Sequence, residues 1–358
     1  MRTRARHLAR AVAVAAATLG LAVSTAGTAS ATGIDNYEWD SHNKFDRRAH
    51  PGLFIDFAGE WGTDEDSLDA AGKPIKWANN TCTMGPVGTD SSGRKIGITA
   101  GHCRPLFGEG VHNIPNVGLR SYRYPLAPRG VEITTNDYPV FDRNAVMRAH
   151  GDNPEINELS APVQPIGWIR WIDNHAPTSQ TNPPTFIGTD YMVIEFAADV
   201  QLDSQVYDKA GNAALSTASS GNPFKVNSVY TNTSTGNLPP VGSDIEHFGA
   251  MSAREPGRVG PLFAYDAIAP NYGAVSKINS PVNGLFRAAP GHQGGDSGGP
   301  VVMRGTGQWV GIITAEWGEG LLGIQRPFIF TSAKSILNDI NAPGSGRTFG
   351  VGFTPTNN

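Results

Sequence analysis

The sequence predicts an all-β protein built from short antiparallel strands, and three observations support this prediction. Across residues 81–303, short runs rich in β-branched and aromatic residues alternate with Gly, Pro, Asn, Asp and Ser, as is typical of β-barrels and β-sandwiches. One amphipathic helical pattern stands out, near the C-terminus. Of the 358 residues, 43 are Gly and 26 are Pro, while 39% are hydrophobic and 17% are charged. This balance excludes an intrinsically disordered chain.

The first 31 residues have the features of a secretory signal peptide. An apolar run over residues 11–23 precedes the small residues Ala29, Ser30 and Ala31, and it is shorter than the roughly 20 residues that span a bilayer. Four basic residues stand before this run: Arg2, Arg4, Arg6 and Arg10. We therefore expect cleavage near Ala31 and a secreted, extracellular protein without a membrane span.

The net charge argues against a nucleic-acid partner. The formal charge at pH 7 is −4, and removal of residues 1–31 takes away four arginines and no acidic residue, which leaves a charge of −8. A protein that binds phosphate backbones needs a basic surface. We therefore expect no nucleic-acid partner. We also expect no membrane binding, because no apolar run in the sequence is long enough to span a bilayer.

Two terminal segments flank the predicted folded domain, which covers residues 78–342. Residues 32–77 are polar and aromatic without clear periodicity, and we interpret them as an N-terminal extension or a removed pro-segment. Residues 343–358 are rich in Gly, Pro and Thr, which predicts a tail that is either a flexible surface strand or a disordered end.

Within the folded domain the clearest elements are four strands and one helix. The predicted strands cover residues 95–99, 191–196, 299–303 and 309–314, and a further strand is predicted near 166–172. Six prolines between residues 151 and 190 indicate that the strand at 166–172 is surrounded mostly by loop. Four apolar residues at helical spacing predict the helix, with Ser332 as its N-cap: Ala333, Ile336, Leu337 and Ile340.

The segment 294–300, with the sequence GGDSGGP, presents a candidate nucleophile, Ser297. A serine hydroxyl is a poor nucleophile at neutral pH and needs a base within reach. The glycines on both sides allow the chain to bend sharply and allow a substrate carbonyl to approach the main chain. The N–H groups of Gly295 and Ser297 are then available to stabilise an oxyanion. The alternative interpretation is a glycine-rich hairpin turn.

The segment 98–103, ITAGHC, presents a candidate general base, His102, directly before a cysteine. The chain has only two cysteines, and export to an oxidising compartment predicts a disulfide between Cys82 and Cys103. A zinc site on these cysteines is the weaker alternative. The other histidines show no HExxH or similar ligand spacing, so we expect no metal and no cofactor.

The strand at 191–196 follows a candidate partner for this histidine, Asp190. By strand alternation Asp190 shares a face with apolar residues such as Met192 and Ile194, which directs its carboxylate toward the interior. A buried carboxylate needs a partner, and an imidazole N–H is suitable. Two alternatives remain: Asp190 caps a turn, or Asp142 is the partner instead.

Taken together, these segments resemble the chymotrypsin-like serine peptidases, most closely the secreted bacterial members of the alpha-lytic and streptogrisin kind. The resemblance covers roughly residues 80–342 and follows the family's chain order of His, Asp and Ser. It implies two six-stranded antiparallel β-barrels, one over about 78–200 and one over about 201–342, with the active site between them and a C-terminal helix.

The resemblance also implies a mechanism. Ser297 attacks a peptide carbonyl, His102 takes and returns the proton, Asp190 orients His102, and water hydrolyses the acyl-enzyme. Gly295 and Ser297 form the oxyanion hole. We therefore expect a secreted serine endopeptidase that acts on proteins or peptides as a monomer. A catalytically inactive binding module of the same fold and an esterase are the alternatives.

The chain departs from the family pattern in ways that affect specificity. The interval between His102 and Asp190 is long, and no Ile-Val-Gly-Gly activation sequence is present. Gly291 stands six residues before Ser297, where members that cut after Arg or Lys carry Asp, so a basic preference is not supported. The candidate pocket residues are Gly291, His292, Thr314, Glu316 and Gly318.

Overall fold

A computed structural model of the chain describes part of residues 47–358. The predicted signal peptide therefore lies outside the described residues. The described ranges are 47–57, 63–68, 74–76, 81–103, 111–114, 118–121, 127–145, 164–173, 189–207, 211–216, 221–240, 243–251, 253–259, 285–289, 294–316 and 328–358.

The described chain is mostly β, which confirms the predicted class. Two 3₁₀ turns, Gly101–Cys103 and Thr233–Thr235, the helix α1 (Ala333–Ile340) and a helical segment at residues 143–145 accompany the strands. In chain order the strands are β1 (Arg48–Ala49), β2 (Phe54–Asp56), β3 (Thr63–Leu68), β4 (Pro74–Lys76), β5 (Thr81–Thr83), β6 (Val87–Thr89), β7 (Lys95–Thr99), β8 (Val111–Ile114), β9 (Gly118–Ser121), β10 (Pro139–Asp142), β11 (Gly167–Ile172), β12 (Met192–Phe196), β13 (Gln201–Leu202), β14 (Ser228–Val229), β15 (Asp244–Gly249), β16 (Ala253–Val259), β17 (Leu285–Ala289), β18 (Pro300–Met303), β19 (Gln308–Glu316), β20 (Phe328–Ser332) and β21 (Thr354–Pro355).

The first large sheet has eight antiparallel strands in the order β21-β6-β7-β12-β11-β10-β2-β5. Its centre pairs β7 with β12, so that Thr99 at the end of β7 lies opposite Met192 at the start of β12. Because the two strands run in opposite directions, the residues that follow Thr99 and those that precede Met192 leave the sheet at the same end.

The second large sheet has the order β14-β19-β18-β15-β16-β17-β20. Strand β19 also pairs with β20, which joins both ends of the six antiparallel strands β15 to β20. The prediction of two six-stranded barrels is not confirmed, because the first sheet has eight described strands and its two outer strands, β21 and β5, are not paired with each other.

Buried apolar residues form three clusters. One is formed mainly by residues of the first sheet and includes Met192 and Ile194, and a second is formed by residues of the second sheet and includes Ile245. The third combines residues of both sheets with α1, for example Ile98 and Ile312. Strand β7 thus lies where the two sheets pack together, and its C-terminal end leads directly to His102.

Residues 47–57 contribute a strand to the first sheet, although the sequence predicts an extension here. Strand β2 lies between β10 and β5, and Ile55 is fully buried. The Asp56 carboxylate is also fully buried and forms an ion pair with Arg143. A pro-segment that included β2 would therefore remove a strand from inside the sheet.

The C-terminal region follows the helix prediction closely. Ser332 caps α1, since its hydroxyl accepts a hydrogen bond from the Ser335 N–H at 3.1 Å. The predicted apolar face of α1 packs in the third cluster, which combines residues of both sheets. In the structure the 343–358 segment continues to β21, which pairs with β6 at the edge of the first sheet. In the described ranges, no helix has the length and hydropathy needed to cross a membrane.

Candidate active site

The pairing of β7 with β12 brings His102 and Asp190 together, 88 residues apart in the chain. The His102 ring Nδ1 lies 2.6 Å from Asp190 Oδ2, and the His102 backbone N–H donates to Asp190 Oδ1 at 2.8 Å. The Asp190 carboxylate is buried, whereas the His102 side chain is 27% exposed. Because a carboxylate accepts the Nδ1 proton, the second ring nitrogen, Nε2, remains as a proton acceptor.

Asp142, the competing candidate, has a different role. Its Oδ1 accepts the backbone N–H of Asn144 at 2.9 Å, so it caps the first turn of the helical segment that begins after β10. The carboxylate that lies against the His102 ring in the structure is that of Asp190.

A disulfide joins Cys82 on β5 to Cys103 in the 3₁₀ turn that carries His102, as predicted. The two sulfur atoms and a His102 ring nitrogen lie within 4.8 Å of one another. Since both sulfurs are in the disulfide, neither is available as a thiolate ligand, which argues against the zinc alternative.

The loop that carries Ser297, residues 294–299, is called the nucleophile loop here. It packs directly against the strand that leads to His102, β7. Gly298 has a φ of +87° and leaves no room for a side chain, because a Cβ there would overlap Thr99 Oγ1 and the Thr83 carbonyl. Glycine is the residue that accepts both the backbone conformation and the contact. Close packing at Gly298 thus places the nucleophile loop beside the base.

Ser297 itself is 8% exposed and is held through its main chain. Its carbonyl accepts the Thr83 N–H at 2.8 Å and lies 3.8 Å from the sulfur of Cys103. That sulfur has no proton to donate, so only the first contact is a hydrogen bond. Among the described residues, the Ser297 hydroxyl and the His102 ring are not hydrogen bonded to each other, as is common before substrate binds.

The candidate oxyanion donors have free amide protons within the described part of the chain. Neither Gly295 N–H nor Ser297 N–H donates to an acceptor there, whereas Gly298 N–H donates to Ile313 O at 2.7 Å and Gly299 N–H to Asp296 O at 2.9 Å. Two amides two residues apart that lack acceptors are suited to bind one oxygen atom.

The candidate specificity pocket is described only in part. Thr314 is buried on β19, and its hydroxyl lies 2.6 Å from that of Thr331 on β20. Glu316 is the last residue of β19. Three candidate residues lie outside the described ranges: Gly291, His292 and Gly318. Their place in one pocket stays a prediction.

Two neighbours of the site were not evident from the sequence. Burial lowers the pKa of the Arg129 guanidinium, and the negative charges of Asp190 and Asp173 partly offset this effect. Thr83 contacts the nucleophile loop with both its backbone and its side chain. The position of Thr83 next to Cys82 is the one signal that associates it with the site.

Comparisons with known proteins gave matches among solved structures. No family model and no curated protein matches the sequence. Among solved structures, a Nocardiopsis protease is 15% identical with a TM-score of 0.41, covering 82% of this chain and 97% of its own. Protease A of Thermobifida fusca is 14% identical with a TM-score of 0.41, covering 87% and 100%. A Cellulomonas bogoriensis chymotrypsin is 17% identical with a TM-score of 0.38, covering 82% and 96%. The chain is thus similar to bacterial chymotrypsin-like serine proteases, at values too low to support an activity by themselves.

Proposed function

We propose that this protein is an exported serine endopeptidase that hydrolyses peptide bonds through an acyl-enzyme. The observation that carries the proposal is the 2.6 Å hydrogen bond between His102 and the buried carboxylate of Asp190, beside the packed loop that holds Ser297. A base with a fixed orientation, next to a serine whose own N–H and that of Gly295 have no acceptor among the described residues, is the arrangement that acyl transfer needs.

In the proposed reaction Ser297 Oγ attacks the carbonyl carbon of a peptide bond while His102 Nε2 takes the hydroxyl proton. The carbonyl oxygen becomes an oxyanion, which the N–H groups of Gly295 and Ser297 stabilise. His102 then gives the proton to the departing amine, and the acyl-enzyme remains. Water, activated by His102 in the same way, hydrolyses the ester and restores Ser297.

Asp190 stays ionised through both half-reactions. Its hydrogen bond to Nδ1 holds the ring in the tautomer that leaves Nε2 unprotonated, and its charge stabilises the imidazolium that forms. The backbone bond from His102 N–H to the same carboxylate fixes the ring relative to the sheet.

We further propose a monomer that requires no cofactor and acts on protein or peptide substrates, with two barrels flanking the cleft. Its pocket would be formed by the candidate residues Gly291, His292, Thr314, Glu316 and Gly318. Secretion would follow cleavage of the signal peptide near Ala31. Because the Arg47 carbonyl accepts the Gln201 N–H and β1 pairs with β13, any removed pro-segment would end before Arg47.

Labelling with a fluorophosphonate probe, followed by digestion of a mixed peptide library, tests the proposal. We expect the wild-type protein to label and to cut peptides, and Ser297→Ala to do neither. Ser204→Ala is a matched control, because Ser204 is fully buried and its hydroxyl donates to the Asn358 carbonyl at 2.6 Å. This variant should label normally. Labelling without peptide cleavage would favour an esterase, and folded wild-type protein that does not label would favour a binding module.

A further inference from the structure

Thr83 is a fully buried residue that connects both sides of the candidate site. Its backbone N–H donates to Ser297 O at 2.8 Å, and its carbonyl accepts the Thr99 hydroxyl at 2.8 Å. Its own hydroxyl donates to Gly295 O at 2.8 Å and accepts the Ala250 N–H at 2.9 Å. Thr83 thus contacts the nucleophile loop at two points and the strand of the base at a third.

The hydroxyl of Thr83 acts on the peptide group next to a candidate oxyanion donor. Gly295 has a φ of +99°, a conformation that glycine adopts easily but also leaves easily. The hydrogen bond to its carbonyl fixes the plane of the following peptide, and this restricts rotation about the Gly295 main chain. The direction of the Gly295 N–H therefore depends on that bond.

The turn after β15 supplies the rest of the support. Met251 N–H donates directly to the Asp296 carboxylate at 2.9 Å, whereas Ala250 N–H reaches the Gly295 carbonyl through the Thr83 hydroxyl. The consecutive amides of Ala250 and Met251 thus support the consecutive loop residues Gly295 and Asp296. The Thr83 hydroxyl links Ala250 to Gly295.

We propose that Thr83 is a positioning residue whose hydroxyl keeps the Gly295 peptide aligned for oxyanion binding. This inference rests on the proposed peptidase function. It concerns the side chain of Thr83, since the backbone hydrogen bond to Ser297 is available to any residue except proline. The hydroxyl does not touch the substrate and acts only through Gly295.

The test removes the hydroxyl and keeps the volume. In Thr83→Val, the Gly295 carbonyl and the Ala250 N–H lose their shared partner inside the protein. We expect kcat to fall about 10- to 100-fold, less than the effect of deleting an oxyanion donor outright, with KM within about threefold of wild type. Affinity for a peptidyl boronic acid, whose tetrahedral adduct places an oxygen in the oxyanion site, should fall by a similar factor.

Two further comparisons separate positioning from stability. Thr83→Ser keeps the hydroxyl, so its kcat should stay near the wild-type value. Thr83→Ala lacks the hydroxyl, so its kcat should fall as in Thr83→Val. This pair provides the test even if Thr83→Val does not fold. Ser204→Ala also removes a hydrogen bond made by a fully buried hydroxyl. This variant should lower the melting temperature and leave kcat and boronate affinity unchanged.

The outcomes also separate this inference from the proposed function. Wild-type kcat and boronate affinity in folded Thr83→Val or Thr83→Ala would overturn the positioning role while the peptidase function stands. If wild-type protein neither labels with a fluorophosphonate nor cleaves peptides, the function fails and the positioning role fails with it.

Discussion

The two halves of the candidate site are held in place by different means. His102 is fixed by side-chain chemistry, since a disulfide joins the adjacent Cys103 to β5 and a buried carboxylate bonds its ring. Ser297 is fixed by a main-chain hydrogen bond from Thr83 and by close backbone packing at Gly298. The base can therefore lose a constraint while the fold survives, whereas a change in the nucleophile loop should affect fold and chemistry together.

The largest effect expected from the His102 side is in Asp190→Asn. An amide cannot hold the same tautomer or stabilise the imidazolium, so kcat should fall by about 10⁴-fold while the melting temperature changes little. Steady-state kinetics on a peptide substrate measures the loss. Asp142→Asn is the matched control, because Asp142 is a buried aspartate that caps a turn, and it should keep kcat within about threefold. Equal losses in both variants would contradict the assignment of Asp190.

On the Ser297 side, Gly298→Ala should impair both stability and activity. The new Cβ overlaps Thr99 and Thr83, and the positive φ adds backbone strain, so we expect about 3 kcal/mol lower free energy of unfolding and about 100-fold weaker fluorophosphonate labelling. Gly93→Ala separates the two causes, because Gly93 has a φ of +78° but no atom within 4 Å of the position that a Cβ would occupy. Equal destabilisation of the two variants would show that strain alone, without the packing contact, explains the result.

Removal of the disulfide should have a smaller effect on catalysis. In a double Cys82→Ala and Cys103→Ala variant, the free energy of unfolding should fall by about 3 kcal/mol, as measured by urea unfolding. We expect kcat to fall less than tenfold, because Asp190 still bonds both the ring and the backbone of His102. A loss of kcat as large as in Asp190→Asn would instead make the disulfide the main constraint on the ring.

The smallest effect concerns stability in acid, through His50 in the segment before β2. Burial lowers the pKa of His50 to about 4, outweighing the opposing effects of its hydrogen bond to the Pro51 carbonyl and of the Asp203 charge, and Arg48 lowers it further. The His50 ring also packs edge-on against Tyr207.

The unfolded state binds the His50 proton more readily than the folded state does, so stability falls as pH drops from 6.5 toward 4. From this group alone we expect the protein to be about 2 kcal/mol less stable at pH 5 than at pH 7.5. In His50→Asn, which keeps a side-chain N–H for the Pro51 carbonyl, the free energy of unfolding should depend less on pH. Urea unfolding at both pH values measures this. An unchanged pH dependence in this variant would assign the effect to other groups.

Local patterns predicted the elements that flank the site. The alternating strand at 191–196, the strand at 95–99 and the helix capped by Ser332 occur in the structure within one or two residues of their predicted ends. Each depends on the spacing of apolar residues a few positions apart, which a sequence displays directly. The disulfide was also predictable, because only two cysteines are present.

Two strands had no comparable signal. Strand β2 has three residues, and it is stabilised by pairing with β10 and β5 and by the ion pair of Asp56 with Arg143. Strand β21 has two residues and joins β6 across the sheet edge. Segments this short show no periodicity, and their partners are distant in the chain.

The sequence by itself determined the types of reactive residue: a serine among glycines, a histidine beside a cysteine and an aspartate at the start of an apolar strand. The tertiary structure decided which aspartate meets His102, and it brought Thr83 to partners 167 and 212 residues away. The physical reason is that reactive groups are properties of single residues and their neighbours, whereas hydrogen-bond partners across two sheets are set by strand pairing and packing, which no local pattern records.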